Sequence, residues 1–285
     1  MAFKEICFDS EGTTLCGWLT LPEGDGPHPI VILIHGLSGI IDLDLAEYAT
    51  SFVAAGFACL AYDHRNWGRS AGWPRCESDP WRQVADLREA ISYARTLPGI
   101  DPERVGLWGT SYGGGHVLTV SALDKRVRCA VSQVPLISGP RTFATWVPAA
   151  KQDAFRARLD QDRDRRRQGE PPATTAAANE GSETAEWVAR KDTQGRYQNA
   201  LTLRSFDLLR TYDPLAFVPQ IAPTPLMMIA AAQDTTTPTA WQEEAFALIG
   251  GPKELVTLDC RHYDVYMDRL PEAAAAATAW YEQHL

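Results

Sequence analysis

Short, fully apolar runs alternate with stretches of helical spacing along most of the chain. Ile30–Ile34 is apolar at every position, and similar runs occupy residues 57–62 and 105–108. A strand of this kind is buried on both faces, which is typical of a parallel sheet covered by helices. Helical spacing follows these runs at residues 45–55, 79–97 and 112–123. The alternation predicts an α/β fold with a mostly parallel, doubly wound sheet.

The two ends of the chain extend this pattern. Residues 3–21 alternate polar and apolar positions around Glu11-Gly12, which predicts an N-terminal antiparallel hairpin. Further strands are predicted at residues 127–134, 225–232 and 254–258, and further helices at 241–249 and 271–284. The predicted sheet therefore continues almost to the C-terminus.

The alternation stops between Val134 and Pro225, a gap of about 90 residues. Because an unstructured loop of that length is uncommon in a compact domain, we expect a helical cap there. This inserted segment (residues 137–222) would interrupt a core formed by residues 1–136 and 223–285. Within it, residues 151–168 predict an exposed, highly charged helix, and residues 170–182 predict a mobile loop.

Composition and charge exclude several classes of protein. The chain has 285 residues, 45% of them hydrophobic and 22% charged, which is typical of a folded globular protein. Its net charge of −9 argues against a nucleic-acid partner. No apolar stretch approaches the roughly 18 residues of a membrane span, and the first ten residues contain no apolar signal core. We therefore expect a cytoplasmic protein without membrane contact.

The six cysteines are scattered and form neither a CxxC pair nor a zinc-binding spacing. No metal site or other cofactor is predicted. Cys7 and Cys16 could face each other across the N-terminal hairpin, but in a cytoplasmic chain of this size we expect reduced thiols.

One motif indicates catalytic chemistry. Gly109-Thr110-Ser111-Tyr112-Gly113 fits the pattern Gly-x-Ser-x-Gly, and it lies between a predicted buried strand and a predicted helix. In that context the serine hydroxyl is exposed above the sheet, and glycines are needed where a Cβ would collide with the strand and the helix. The N-terminus of the helix also directs its positive dipole at the site. Ser111 is therefore the predicted nucleophile.

A serine nucleophile needs a histidine base and an acid that orients the histidine. In the Ser, Asp/Glu, His chain order that accompanies this motif, the base must follow Ser111. Of the two histidines after the helix, His284 is the penultimate residue, so His262 is the predicted base. Asp234 follows a predicted strand and is the predicted acid. The alternatives, which we rank below Asp234, are Asp213, Asp259 and Asp264.

Two backbone N–H groups are predicted to form an oxyanion hole. One belongs to Tyr112, the residue after the nucleophile, and the other to Leu37 in the loop after the first long strand. His35 is expected to be buried and to hold this loop by hydrogen bonds. The predicted substrate-binding side chains are aromatic: Trp67, Phe143 and Trp146.

These motifs resemble the α/β-hydrolase superfamily over nearly the whole chain. More narrowly, the sequence is similar to dienelactone-hydrolase-like and Xaa-Pro-peptidase-like small hydrolases, a group that includes the polyketide transferase family. The similarity rests on residues 35–38, 62–68, 79–81, 108–117 and 262–266. It implies an α/β-hydrolase fold, a triad carried here by Ser111, Asp234 and His262, and no cofactor.

The expected function is cleavage of a small-molecule carboxylic ester or thioester through an acyl-enzyme. Three alternatives remain open: an acyltransferase with the same triad, a peptidase or amidase, and a non-catalytic binding protein with this fold. An intact triad argues against the last of these. Pairing with a second copy as a homodimer also stays open.

Overall fold

An eight-stranded sheet forms the centre of the computed structural model, which describes residues 2–285. Its strands are β1 (Lys4–Ser10), β2 (Thr13–Thr20), β3 (His28–Ile34), β4 (Ala58–Tyr62), β5 (Ile100–Thr110), β6 (Val127–Gln133), β9 (Leu226–Ala231) and β10 (Lys253–Leu258). Two short strands, β7 (Thr174–Thr175) and β8 (Leu201–Thr202), pair separately. The order in space is β1-β2-β4-β3-β5-β6-β9-β10, and within the described part of this eight-stranded sheet the antiparallel pairs are β1–β2 and β2–β4. The predicted mostly parallel sheet and N-terminal hairpin are confirmed.

Helices cover both faces of the sheet. The helices outside the inserted segment are α1 (Leu45–Ala54), α2 (Pro80–Ala94), α3 (Tyr112–Leu123), α8 (Thr239–Leu248) and α9 (Leu270–His284). Side chains of α2, α3 and α8 belong to one apolar core, and those of α1 and α9 belong to a second. Within residues 2–285, no helix is long and apolar enough to cross a membrane.

Strand β3 shows why the central strands are apolar at every position. Ile30, Ile32 and Ile34 pack into the first core, whereas Val31 and Leu33 pack into the second. Successive side chains of a strand point to opposite faces. Because both faces are covered, no position in such a strand is left for a polar residue.

The inserted segment forms four α-helices and two short 3-10 helices between β6 and β9. The α-helices are α4 (Gly139–Trp146), α5 (Ala149–Arg167), α6 (Glu183–Lys191) and α7 (Leu203–Leu209). The exposed helix predicted at 151–168 corresponds to α5. The loop predicted at 170–182 contains β7, and the Ala173 N–H donates to the buried Asp162 carboxylate at 2.7 Å. Long-range contacts therefore order part of a segment whose composition suggested mobility.

The N-terminal hairpin contradicts one expectation about the cysteines. Cys7 and Cys16 are directly opposite each other in the β1–β2 register, with Cα atoms 4.1 Å apart, and they form a disulfide. The expectation of two reduced thiols is wrong in this structure, because the hairpin register alone brings the two side chains together. Four cysteines are free and buried: Cys59, Cys76, Cys129 and Cys260.

A buried ion pair fixes the loop after β4 to α2. Asp86 of α2 is fully buried and accepts hydrogen bonds from the Arg65 guanidinium, with Nε 2.6 Å away, and from the Ser10 hydroxyl at 2.5 Å. Arg65 is itself only 5% exposed. Three separate parts of the chain therefore meet at one carboxylate.

We expect Asp86→Ala to lower the free energy of unfolding by about 3–5 kcal/mol, because Arg65 would be left buried without a counter-charge. Urea denaturation measures this change. Glu103→Ala is the matched control: it removes the partner of Arg95 at a site where the glutamate side chain is 79% exposed. The control should cost less than about 1 kcal/mol. Equal losses of unfolding free energy in the two variants would contradict the claim that Asp86 compensates a buried charge on Arg65.

Candidate active site

Ser111 lies in the turn between β5 and α3, with a φ of 55° and a ψ of −119°. The flanking glycines permit this close packing. A Cβ on Gly109 would lie 2.5 Å from the carbonyl oxygen of Gly113, and one on Gly113 would lie 2.5 Å from the carbonyl oxygen of His35. Both distances are too short for a side chain, so the two glycines allow the turn to form against the helix and the neighbouring strand.

The three side chains predicted to act together form a continuous hydrogen-bonded chain. The Ser111 Oγ lies 3.2 Å from His262 Nε2, and His262 Nδ1 lies 2.8 Å from Asp234 Oδ2. Because β5, β9 and β10 are parallel, their carboxyl ends bring the three residues to one edge of the sheet. His262 is 1% exposed and Asp234 is 6% exposed.

Hydrogen bonds stabilise the ionised form of Asp234. Burial alone would raise the pKa of this carboxyl. The charge interaction with His262 and the hydrogen bonds from His262 and Thr237 outweigh the effect of burial, and the pKa lies below its ordinary value. The backbone N–H groups of Thr236 and Thr237 donate to Asp234 Oδ1 at 2.9 and 2.8 Å. An ionised Asp234 can hold the Nδ1–H tautomer of His262, which leaves Nε2 free to accept a proton from Ser111.

Thr237 is a site residue that the sequence analysis missed. Its Oγ1 lies 2.9 Å from Asp234 Oδ2 and 3.2 Å from His262 Nδ1. The signal was present, since an aspartate followed by threonines two and three positions later is typical of a turn that closes on its own backbone. That pattern did not reveal how close Thr237 lies to His262.

The alternative acids, and the histidine buried in α3, have other hydrogen-bond partners or none within the described chain. Asp264 accepts from Arg261, Asp259 accepts from Gln233, and neither contacts His262 through a hydrogen bond within the described chain. Asp213 precedes a short 3-10 turn, Pro214–Ala216. His116 is fully buried in α3, 3.0 Å from the Tyr212 hydroxyl.

The two predicted oxyanion donors border the same cavity as Ser111. The backbone N–H groups of Leu37 and Tyr112 donate to no other group within residues 2–285. Gly36 brings the first loop close, since a Cβ there would lie 3.4 Å from Ser111 Cβ. Both N–H groups are therefore available to a bound oxygen atom.

Buried histidines hold this loop in place. His35 Nε2 accepts from the His64 backbone N–H at 3.0 Å, which leaves Nδ1 to donate to the Gly36 carbonyl oxygen at 2.9 Å. Asp63 accepts from the backbone N–H groups of Ile41 and Arg69. The expectation that His35 braces the loop agrees with these contacts.

The cavity beside Ser111 has a volume of roughly 650 Å³, counting its open mouth. Trp146 lines it, together with other residues of the inserted segment: Thr142, Trp187 and Leu209. The other two predicted substrate-binding candidates lie elsewhere. Trp67 is buried with its indole N–H donating to the Glu77 carbonyl oxygen, and Phe143 packs edge-on against Phe155.

An aromatic wall that the sequence analysis missed closes one side of the cavity. Trp187 of α6 packs against Tyr263 and Tyr266, with ring centroids 5.4 and 5.6 Å away. The Thr184 and Tyr263 hydroxyls are 2.6 Å apart, which joins α6 to the loop that carries His262.

No group of three or more metal-ligating side chains comes together in the part of the chain that the structure describes.

Residues 29–268 match the family model of the alpha/beta hydrolase fold. The chain belongs to the α/β-hydrolase family. In this α/β hydrolase the match includes Ser111, Asp234 and His262, together with the loop that carries Leu37. The fold predicted from the resemblance is therefore confirmed.

Named relatives of this α/β hydrolase cover most of its length. Thiohydrolase aneE of Aspergillus aculeatus is 31% identical over 272 residues, which are 89% of this chain and 83% of the relative. Polyketide transferase claH of Penicillium crustosum is 29% identical over 282 residues, 92% of this chain and 91% of the relative. The crystal structure of the α/β hydrolase GrgF from Penicillium sp. sh18 matches with a TM-score of 0.89 and 27% identity, covering 100% of this chain and 99% of that one. The predicted resemblance to polyketide transferases is confirmed.

The buried histidines predict an acid-sensitive fold. Burial lowers the pKa values of His35, His64 and His116 below the ordinary 6.5, to about 3 for His116. Below pH 6.5 the unfolded chain therefore binds protons that the folded chain does not, and for His116 this difference extends down to about pH 3. Each such histidine removes up to about 1.4 kcal/mol of unfolding free energy per unit of pH decrease.

We expect His116→Gln to flatten the pH dependence of stability by about one proton below pH 6.5. Denaturant unfolding at several pH values measures the difference in unfolding free energy between wild type and variant. That difference should shift in favour of the variant as the pH falls. Parallel curves between pH 6.5 and 4 would contradict the lowered pKa of His116.

Proposed function

We propose that this α/β hydrolase is a serine esterase or thioesterase that works through an acyl-enzyme. The observation that carries the proposal is the hydrogen-bonded chain from Ser111 through His262 to Asp234 at the edge of a largely apolar cavity. The available N–H groups of Leu37 and Tyr112 support it, as does similarity to a relative named thiohydrolase.

Acylation begins with attack of the Ser111 Oγ on the carbonyl carbon of the substrate. His262 Nε2 takes the hydroxyl proton, and the C=O π electrons move onto the oxygen to form a tetrahedral oxyanion. The N–H groups of Leu37 and Tyr112 stabilise that negative charge. When the carbonyl re-forms, the C–O or C–S bond breaks and His262 gives its proton to the leaving alcohol or thiol.

Deacylation repeats these steps with water as the nucleophile. His262 Nε2 accepts a proton from the water as its oxygen attacks the acyl carbon. The second oxyanion collapses, the bond to Ser111 Oγ breaks, and His262 returns the proton to that oxygen. Throughout, Asp234 remains ionised and stabilises the protonated histidine.

Acyl transfer is the second candidate function, favoured by the similarity to a relative named polyketide transferase. An alcohol or thiol would replace water in deacylation, and the same residues would serve. The ratio of transfer product to free acid, measured with a chosen acceptor at increasing concentration, distinguishes the two functions.

We expect Ser111→Ala to lose about five to six orders of magnitude in kcat while the protein remains folded, because the nucleophile is absent. A fluorophosphonate probe should label wild type and not the variant. Ser92→Ala, a serine change in α2, is the control and should leave labelling unchanged. Equal labelling of Ser111→Ala and wild type would remove Ser111 from the nucleophile role.

We expect Asp234→Asn to lower kcat by about 10³–10⁴-fold, because an amide permits the wrong tautomer of His262. Asp264→Asn is the matched control, since this carboxylate accepts from Arg261 and makes no hydrogen bond to His262. Steady-state kinetics on an aryl ester compares the two variants. A larger loss in Asp264→Asn would make Asp264 the acid.

A further inference from the structure

One carboxyl group lines the cavity without any role in the mechanism. Asp44 immediately precedes α1 and is the only acidic residue among the described residues that line the cavity. The residue is 4% exposed. It therefore presents a buried carboxyl to the same space that holds Ser111 and His262.

The Asp44 carboxyl has no partner within residues 2–285. It accepts no hydrogen bond and lies within 4 Å of no cationic nitrogen, and although it precedes a helix it makes no capping bond. Lys191, a cation whose charge acts on Asp44, is paired with Glu47 at 2.6 Å. The Asp44 side chain therefore neither caps α1 nor forms an ion pair within the described residues.

The surroundings make an ionised carboxyl costly at this position. Burial raises the pKa of Asp44 to about 7, with a smaller opposing effect of Lys191 and a smaller reinforcing effect of Glu47. Tyr48 and Tyr266 are also close enough for Asp44 to raise their pKa values further. The Asp44 oxygens are not among the fully enclosed side-chain atoms that lack a partner, so they keep accessible surface and can accept a hydrogen bond from a group in the cavity. A ligand that supplies the missing donor would explain why the group stands here.

We propose that Asp44 binds a hydrogen-bond donor, a hydroxyl or an ammonium, carried by the acyl group of the substrate. The substrate class is then a hydroxyacyl or aminoacyl ester or thioester. The aromatic wall of Trp187, Tyr263 and Tyr266 contacts the apolar part of that acyl chain, and the Asp44 carboxyl accepts a hydrogen bond from its polar substituent. The prediction that such esters are hydrolysed rests on the proposed function, whereas the prediction that they bind preferentially does not.

The test is a matched series of 4-nitrophenyl esters that differ in one substituent on the acyl chain: methyl, hydroxyl, methoxy or amino. Chain length is varied so that the substituent is placed at several distances from the ester carbonyl. At the best length, kcat/KM of wild type should be about tenfold or more higher for the hydroxyl or amino ester than for the methyl ester. The methoxy ester should gain less than either of these, because its oxygen can accept a hydrogen bond but cannot donate one.

Asp44→Leu, of similar size, should abolish or invert this preference while it keeps turnover of the methyl ester. Asp44→Asn is the second variant in case the leucine variant does not fold. It retains one acceptor oxygen, so it should weaken a hydroxyl preference and abolish an ammonium preference. Glu103→Gln removes a negative charge at an exposed residue that does not line the cavity, and it should leave the ratio unchanged.

Comparing kcat/KM for the hydroxyl ester with kcat/KM for the amino ester shows which of the two donors Asp44 prefers. The inference is overturned if wild type prefers neither donor over the methyl and methoxy esters at any length. It is also overturned if Asp44→Leu, or Asp44→Asn where the former does not fold, retains the full preference.

Failure of the proposed function is recognised separately. If wild type turns over none of the esters, the Kd values of the same series for Ser111→Ala, measured by calorimetry, decide the binding inference without catalysis. A tenfold tighter Kd for a donor-bearing ester, lost in the double variant with Asp44→Leu, would support the inference. Equal Kd values across the series would overturn it.

Discussion

The backbone of Ser111 adopts a φ of 55° and a ψ of −119°, and much of the surrounding structure serves to hold it there. A non-glycine residue in such a region costs of order 1–3 kcal/mol and persists only where its neighbours fix it. The Ser111 N–H donates to the Gln133 carbonyl oxygen at 2.9 Å, and the Ser111 carbonyl oxygen accepts from the Leu136 N–H at 2.8 Å. The end of β6 therefore clamps the turn between β5 and α3, and the hydroxyl is directed away from the sheet towards His262.

The sequence was informative wherever a local pattern has one structural meaning. Ile30–Ile34 predicted a strand buried on both faces, and the structure places its side chains in two cores. Gly109 and Gly113 pointed to a tight turn for the same steric reason that the structure shows. The chain order after the turn then selected Asp234 and His262 from several acids and histidines, and these two lie within hydrogen-bonding reach in the order expected.

The features that the sequence did not predict depend on which distant segments meet. Trp67 and Phe143 are aromatic residues of the expected kind, but whether such a residue faces a cavity or packs in a core depends on tertiary contacts. Trp187 contacts Tyr263 across more than seventy positions of sequence. The facing positions of Cys7 and Cys16 were anticipated from the hairpin, but their disulfide was not, because composition does not determine the oxidation state of two thiols. The inserted segment and the residue before α1 shape the cavity, so relatives with the same fold can differ in substrate.

The central claim is that Ser111 carries the acyl group during turnover. Rapid mixing with an excess of a 4-nitrophenyl ester, acid quenching within milliseconds and intact-protein mass spectrometry test it directly. The account predicts a mass increase equal to one acyl group, located by proteolysis on the peptide that contains Ser111. Heat-denatured protein, the control, should show no such increase. An adduct on a different residue, or turnover with no adduct at any quench time, would contradict it.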